Sequence, residues 1–316
     1  MSNPEPATAA LPYTPVTEKA FEDDAAEWRP RRELGDVNNG AVYKLHPDLR
    51  LAIEVALATK RPLLLRGEPG SGKSSLAPYL ARNLGAHYLS HVVNSSTTIQ
   101  DLLWEFDTVR KLSAAQSRRA DDPELDDGDF VVPGVLWRAF DPDEKFSEGK
   151  ARTVVLIDEI DKADADVPNG LLGALGSGSF RVSAAGDREV KVGTGREVIV
   201  VITTNGEREL PPAFLRRCVV ATIPRITGDD LVEVAALHVC GPGVAPTAEQ
   251  EKLFRAVAAC LDRAREGAGV PGREQPPGIA EYLDAVVACG ELHIDPSSEV
   301  WPTVEEFTIR KAAVQP

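Results

Sequence analysis

The stretch Gly67-Glu68-Pro69-Gly70-Ser71-Gly72-Lys73-Ser74 fits the pattern G-x-x-x-x-G-K-[ST] at each fixed position. Glycines let such a loop curl until successive backbone N–H groups converge on an anion. Lys73 is expected to reach the outer phosphates of a bound nucleotide, and the Ser74 hydroxyl is expected to ligate Mg²⁺. Together with Ser75, which opens the following helix, the stretch predicts a P-loop that binds a nucleoside triphosphate.

The flanking sequence gives the P-loop the context that it requires, a strand before it and a helix after it. Residues 62–66 are a short apolar run that suits a buried strand, and residues 75–84 carry leucines at every fourth position. The partial positive charge at the start of that helix adds to the anion site. A chance glycine-rich turn is the alternative, and this context disfavours it.

Composition sets broad limits on the class of protein. The chain has 316 residues, of which 43% are hydrophobic and 27% charged, so about two globular domains are expected. No apolar run approaches the roughly 20 residues that cross a bilayer, and the N-terminus lacks the features of a signal peptide. The four cysteines are widely spaced. These features predict a cytoplasmic protein with reduced thiols.

The net charge bears on the kind of partner. With 35 basic and 49 acidic side chains, the formal charge is −14. Non-specific nucleic-acid binding needs clustered Lys and Arg, so this net charge argues against a nucleic-acid partner. A local basic patch remains compatible with the net charge.

Four further apolar runs follow the P-loop strand, and they alternate with helical patterns. This alternation predicts an α/β fold, a P-loop NTPase with a parallel five-stranded sheet between helices. After residue 226 only helical patterns remain, and Thr227 with Asp230 and Thr247 with Gln250 resemble capping boxes. The predicted organisation is a flexible N-terminal extension (1–40), a nucleotide-binding α/β domain (41–226) with an insert (about 95–137) and a β-hairpin (about 180–192), and a small all-helical lid domain (227–316).

Chemistry-bearing residues stand at the ends of two predicted strands. Asp158 ends an apolar run, where its carboxylate is expected to hold Mg²⁺ through water, and Glu159 can polarise an attacking water. Asn205 ends the next run and can hydrogen-bond that water or the γ-phosphate. Arg216 and Arg217 are candidates for an arginine finger. Each assignment has an alternative. The two acids could be surface carboxylates, the asparagine could be a turn former, and the arginines could form an interdomain salt bridge or a surface pair.

Four motifs in this order resemble those of AAA+ ATPases of the MoxR type: the P-loop, the box at residues 158–163, Thr203-Thr204-Asn205, and residues 210–218. The resemblance covers roughly residues 45–316. It implies the sheet order 5-1-4-3-2, a helical lid, and assembly into homo-oligomeric rings, usually hexamers. It also implies that Asp158 and Glu159 form the Walker B motif and that Asn205 is sensor 1. The finger aligns best with Arg217, with Arg216 beside it, and would act on ATP in the neighbouring subunit.

The sequence departs from the family pattern in the lid. The sensor-2 position, often Arg in AAA+ proteins, falls near residues 277–281, which contain no Arg, while Arg273 lies upstream. A contribution from the lid to the γ-phosphate is therefore in question.

Three functions remain open from the sequence. The first is an ATP-driven remodelling motor acting on a protein partner, since the resemblance links MoxR-type proteins to maturation of metal-containing enzymes and to proteins with von Willebrand A domains. The second is a nucleic-acid motor, as in related AAA+ proteins of which some prefer GTP; the charge balance disfavours it. The third is a slow nucleotide-dependent scaffold, which the missing sensor-2 Arg allows.

Overall fold

A computed structural model describes most of the chain. The described residues are 15–16, 21–26, 28, 40–119, 123–140, 149–267 and 276–310. Most of the predicted N-terminal extension and Arg273 lie outside them. The described pieces of the extension contact the body of the protein: the Val16 N–H donates to Glu54 (2.8 Å), and Arg82 pairs with Asp24 (3.1 Å).

Nine strands are present in the described residues. They are β1 (Leu63–Arg66), β2 (His87–Val92), β3 (Trp104–Phe106), β4 (Val131–Pro133), β5 (Arg152–Asp158), β6 (Ser179–Val182), β7 (Arg188–Lys191), β8 (Glu197–Thr204) and β9 (Val219–Thr222). Five form one parallel sheet in the order β2-β5-β8-β1-β9. Numbered along the chain within the sheet, this order is the expected 5-1-4-3-2. The predicted α/β fold is confirmed.

The helices of the described residues lie on both faces of this sheet and beyond its last strand. They are α1 (Pro47–Thr59), α2 (Lys73–Asn83), α3 (Ile99–Leu103), α4 (Thr108–Ser117), α5 (Val135–Phe140), α6 (Asp166–Ser177), α7 (Pro212–Leu215), α8 (Asp229–Val239), α9 (Ala248–Gly267), α10 (Ile279–Leu292) and α11 (Trp301–Glu305), the last continuing into a π-turn (Glu306–Arg310).

Alternating side chains divide the strands between two hydrophobic cores. Leu64 of β1 packs into the core that contains α5 and α6, whereas Leu63 and Leu65 pack into the core that contains α1 and α2. Because successive side chains of a strand point to opposite faces, a strand buried on both sides must be apolar at every position. This requirement explains the unbroken apolar runs of the sequence.

A third hydrophobic core is built from α8 to α11, with Leu231, Phe254, Leu261 and Tyr282 almost fully buried. The expected capping box at Thr247 and Gln250 is confirmed, because each side chain accepts a hydrogen bond from the other residue's N–H (2.9 and 3.2 Å).

The expected capping box at Thr227 and Asp230 is wrong. Helix α8 begins at Asp229 with Gly228 as its N-cap, and the Asp230 carboxylate instead pairs with Lys44 Nζ at 2.6 Å. Lys44 also pairs with Glu233. An ionised partner from a distant segment competes better for this carboxylate than one backbone N–H does.

Two hairpins project from the α/β core. Strands β6 and β7 pair with Phe180 opposite Val190, which confirms the predicted hairpin, and β3 pairs with β4 inside the insert. The two elements touch, since a Cβ built on Gly128 of the insert would lie 3.7 Å from Ala185 of the hairpin turn. None of the described helices is long and apolar enough to cross a membrane.

Candidate nucleotide-binding site

The candidate residues converge because β1, β5 and β8 are parallel neighbours. Their carboxyl ends meet at one edge of the sheet, where ligands of open α/β sheets bind. β1 runs into the P-loop, β5 ends at Asp158, and β8 ends just before Asn205. Residues far apart in sequence therefore share one site.

The P-loop has the positive backbone φ angles that its glycines predict. Gly70 and Gly72 have φ of 68° and 87°, a region that favours glycine, and Lys73 is the first residue of α2. Lys73 is buried, and its Nζ donates to the carbonyls of Gly67 and Glu68 at 2.9 and 2.8 Å. Burial lowers the pKa of Lys73, and nearby carboxylates, with Asp158 foremost, offset part of that shift. A buried ammonium group is thus held at the mouth of the anion cradle.

Ser74 and Asp158 form a pair of oxygen ligands. The Ser74 hydroxyl donates to Asp158 Oδ1 at 2.8 Å. This 2.8 Å separation is that of an ordinary O–H···O hydrogen bond, and it leaves both oxygens near a Mg²⁺ ion that could bind directly or through a water. Within the described residues, no group of three His, Cys, Asp or Glu side chains could hold a metal by itself. The donor set therefore suits Mg²⁺, which keeps waters and phosphate oxygens as further ligands.

Glu159 is held in an uncommon conformation directly after β5. Its φ of 59° and ψ of 47° lie in the left-handed region, and its N–H donates to the Thr203 hydroxyl at 2.8 Å. One carboxylate oxygen accepts from Asn205 Nδ2 at 3.2 Å, and the other accepts from Lys162 Nζ at 2.6 Å. The hydrogen bond to Glu159 raises the pKa of Lys162. The geometry connects Glu159 directly to Asn205.

Two positioning residues were not among the candidates from the sequence. The Thr203 hydroxyl donates to Asp158 Oδ1 and accepts from Glu159, so it fixes both acids. Asp161 is 1% exposed, and its Oδ2 accepts from the N–H groups of Asn205 and Glu207 at 3.1 and 2.8 Å. Both lie inside motifs quoted from the sequence, Thr203 in residues 203–205 and Asp161 in residues 158–163, but no role was expected for either of them.

Arg216 and Arg217 lie apart from these residues. They follow the short helix α7, and both are exposed. Neither lines the cavity that Lys73, Ser74, Asp158, Glu159 and Asn205 share. The Arg216 carbonyl accepts from Arg61, which anchors the backbone there. The structure thus brings ten of the predicted site residues together around one cavity, namely residues 69–75, Asp158, Glu159 and Asn205, and it leaves the arginine pair exposed outside that cavity.

A cavity of about 800 Å³ extends from the P-loop towards the lid. One end is polar and contains Lys73 and the two acids. The rest of the lining comes from the segment 40–46 before α1, from residues 223–226 after β9, and from α8 and α10, with apolar side chains such as Val234 and Leu283 and charged ones such as Asp230. Apolar side chains next to a phosphate cradle suit the base of a nucleotide.

The lid contacts the P-loop directly. The Ile279 N–H donates to the Gly70 carbonyl at 2.8 Å, and a Cβ built on Gly278 would lie only 2.7–2.8 Å from the backbone atoms of Gly70. A Cβ at Gly278 would overlap the P-loop backbone, so an Arg at this residue of the range 277–281 would require the lid to shift. A second contact joins Arg225, just before the lid, to Glu68 of the P-loop.

Replacing Gly278 with Ala is expected to lower the stability of the protein by about 1–3 kcal/mol, the usual cost of overpacking. Gly290 is the matched control on the same helix, because a Cβ there would meet nothing within 4 Å. Its replacement with Ala should stabilise the helix by roughly 0.5–1 kcal/mol. Urea unfolding of both variants checks the prediction, and a neutral Gly278→Ala would show that the lid does not press on the P-loop in solution.

Comparison with known proteins finds one matching family model and distantly related solved structures. Residues 62–218 match the family model described as "AAA domain (dynein-related subfamily)". Among solved structures, NtrX from Brucella abortus is 14% identical with a TM-score of 0.50 over 88% of this chain and 57% of its own, so this chain spans little more than half of it. A mutant of RuvB from Thermotoga maritima is 16% identical with a TM-score of 0.45 over 82% and 67% of the two chains. Residues 62–218 therefore match an AAA domain, and the five-stranded parallel sheet with its P-loop is an AAA+ P-loop NTPase fold.

Proposed function

We propose that this protein is a cytoplasmic, Mg²⁺-dependent ATPase of the MoxR type that remodels a protein partner and works as a homo-oligomeric ring, a hexamer by family resemblance. The observation that carries the ATPase part is the connected set of hydrogen bonds at the sheet edge. Ser74 contacts Asp158, and Glu159 contacts Asn205, within one cavity that also contains Lys73.

Each residue has a role that its position supports. Lys73 and the P-loop N–H groups bind the phosphates. Ser74 and Asp158 would hold Mg²⁺, which when bound neutralises charge on the phosphates. Glu159 accepts a proton from the attacking water, and Asn205 orients the Glu159 carboxylate through the 3.2 Å contact. Thr203 and Asp161 keep both acids and the Asn205 backbone in place.

Steady-state hydrolysis by the purified full chain tests this proposal. Phosphate release is expected with ATP and Mg²⁺, and it should stop when the metal is chelated. Parallel assays with GTP decide the nucleotide preference, and mass photometry with and without nucleotide reports the ring size. Absence of nucleotide binding and of hydrolysis over the whole range of protein concentration would refute the proposal.

The ring part is supported by the position of the arginine pair. An exposed guanidinium that does not line its own subunit's cavity is suited to act on a neighbour's nucleotide. In this arrangement the site is complete only between two subunits.

Replacing Arg217 with Ala should leave ATP binding unchanged and reduce turnover by roughly 10³-fold, because an arginine finger acts on the transition state. Mixing this variant with Lys73→Ala protein should restore part of the activity, since a mixed interface can combine an intact P-loop with an intact finger. Arg216→Ala is the matched control, one residue away and equally exposed. Loss of activity in the control instead would assign the finger to Arg216.

A protein partner is favoured over nucleic acid by the surface of the insert and hairpin. Helix α4 of the insert has no buried residue, and it exposes Val109 (80%) and Leu112 (59%). Exposed apolar side chains of this kind suit protein contacts. A partner with a von Willebrand A domain is the first candidate by resemblance, and pull-down with a hydrolysis-dead variant tests it. Tight, salt-sensitive DNA binding by the assembled protein would support the nucleic-acid motor instead.

The slow scaffold is a second candidate, and Gly278 is the observation that favours it. A lid without a cationic side chain at this position contributes no charge to the γ-phosphate from there. Turnover that is low and does not rise with a partner protein would favour the scaffold over the motor.

A further inference from the structure

Tyr43 belongs to the segment that crosses the cavity before α1. Its backbone is fixed, because its N–H donates to the Asp23 carboxylate at 3.0 Å. Its ring lies 5.6 Å from the ring of Tyr79 on α2, measured between centroids. The side chain is therefore held by packing against Tyr79 and the core that contains α1 and α2.

The free edge of the Tyr43 ring lies against the P-loop. A Cβ built on Gly72 would be 3.7 Å from Tyr43 Cε2 and 3.9 Å from its hydroxyl oxygen. Gly72 directly precedes Lys73 and Ser74, whose N–H groups open α2. In a P-loop these N–H groups converge on the inner phosphates of the nucleotide. The Tyr43 hydroxyl thus stands beside the place where those phosphates bind.

The hydroxyl has no protein partner in the described part of the chain, since no hydrogen bond there involves its oxygen. It is also not sealed among apolar side chains, because Tyr43 lines the same cavity as Ser74 and Ser75. Burial raises the pKa of Tyr43, so the group remains a neutral O–H donor at physiological pH. Because buried polar groups are nearly always hydrogen-bonded, a hydroxyl donor without a protein partner beside an anion cradle is expected to pair with an acceptor atom of the ligand.

We propose that Tyr43 is a nucleotide-binding residue whose hydroxyl donates a hydrogen bond to an inner phosphate oxygen of the bound nucleotide. This inference rests on the nucleotide binding proposed above and adds a donor from outside the P-loop. The segment 40–46 would then recognise the phosphates as well as enclose the base.

The variant Tyr43→Phe removes only the oxygen, and its affinity for ADP is expected to fall about tenfold, the usual loss for a donor to a charged acceptor. Its affinity for adenosine, measured by displacement of a fluorescent ADP, should stay within about twofold of the parent. Its unfolding temperature without nucleotide should equal that of the parent, since the hydroxyl makes no hydrogen bond in the described protein.

Tyr79→Phe is the matched control. Tyr79 packs against Tyr43, but it does not line the cavity, and its hydroxyl interacts with Asn83. This control should bind ADP as the parent does. An unchanged ADP affinity in Tyr43→Phe, an equal loss for adenosine, or a lowered unfolding temperature without nucleotide would each overturn the inference. Failure of the unmodified protein to bind ADP would instead refute the nucleotide binding on which the inference depends.

Discussion

Replacing Glu159 with Gln should reduce ATP hydrolysis by about 10²–10⁴-fold while ATP binding stays within about twofold. The substitution keeps the shape of the side chain, so the contact with Asn205 and the backbone at φ 59° can persist. It removes the negative charge that would accept the proton of the attacking water. Single-turnover hydrolysis and equilibrium binding with a labelled ATP measure the two effects separately.

Glu207→Gln provides the control for Glu159. Glu207 follows the same sheet edge, but its side chain is exposed; its backbone N–H joins the site through Asp161, and its carboxylate acts on the site only by attracting Lys162. Turnover of the control should change less than about twofold, as is usual for a surface substitution. Near-normal hydrolysis in Glu159→Gln would remove Glu159 from its role as the base.

Replacing Lys73 with Ala should weaken ATP binding by about 100-fold or more, because charge-assisted hydrogen bonds to phosphate oxygens contribute about 1.5–3 kcal/mol each. The fold should survive the change. Burial lowers the pKa of Lys73, which means that burying its charged form costs free energy in the folded state. The variant loses two hydrogen bonds to loop carbonyls, but it no longer has to bury this charge, so the two effects partly cancel.

Two measurements separate binding from stability in this variant. Calorimetric titration with ADP and ATP gives the affinities, and thermal unfolding without nucleotide gives the stability. Lys252→Ala is the control, since Lys252 is an exposed residue of the lid whose Nζ lies 3.6 Å from Asp295. An affinity for ATP equal to that of the parent would contradict the assignment of the P-loop as the phosphate cradle.

Local chemistry made the core of the site predictable from sequence. The P-loop needs glycines at Gly70 and Gly72 because φ is positive there, and an acid at the end of an apolar run must emerge at the carboxyl edge of a parallel sheet. The hairpin followed from its period-two alternation, and the order of the sheet followed from the family resemblance. The glycine conformations, the position of the acid and the alternation are effects of neighbouring residues or of a regular repeat.

Contacts between distant segments were not predictable in the same way. The sequence around Thr227 and Asp230 has the pattern of a capping box, but Lys44, 186 residues earlier, binds the aspartate instead. Asp161 lies in the motif at residues 158–163, but its role was not expected, because only the fold brings the N–H groups of Asn205 and Glu207 to its carboxylate. In both cases the partner is supplied by another part of the chain.

By itself, the sequence determined that a phosphate cradle lies between a buried strand and a helix, with Asp158 and Glu159 at a neighbouring strand end. It did so because glycine conformation and apolar periodicity act over a few residues. Only the tertiary structure decided how close the lid comes to Gly70, which groups hold Glu159 and Asn205, and which tyrosine faces the cavity. These features depend on packing between segments that are far apart in the chain, and no local pattern encodes the distances between them.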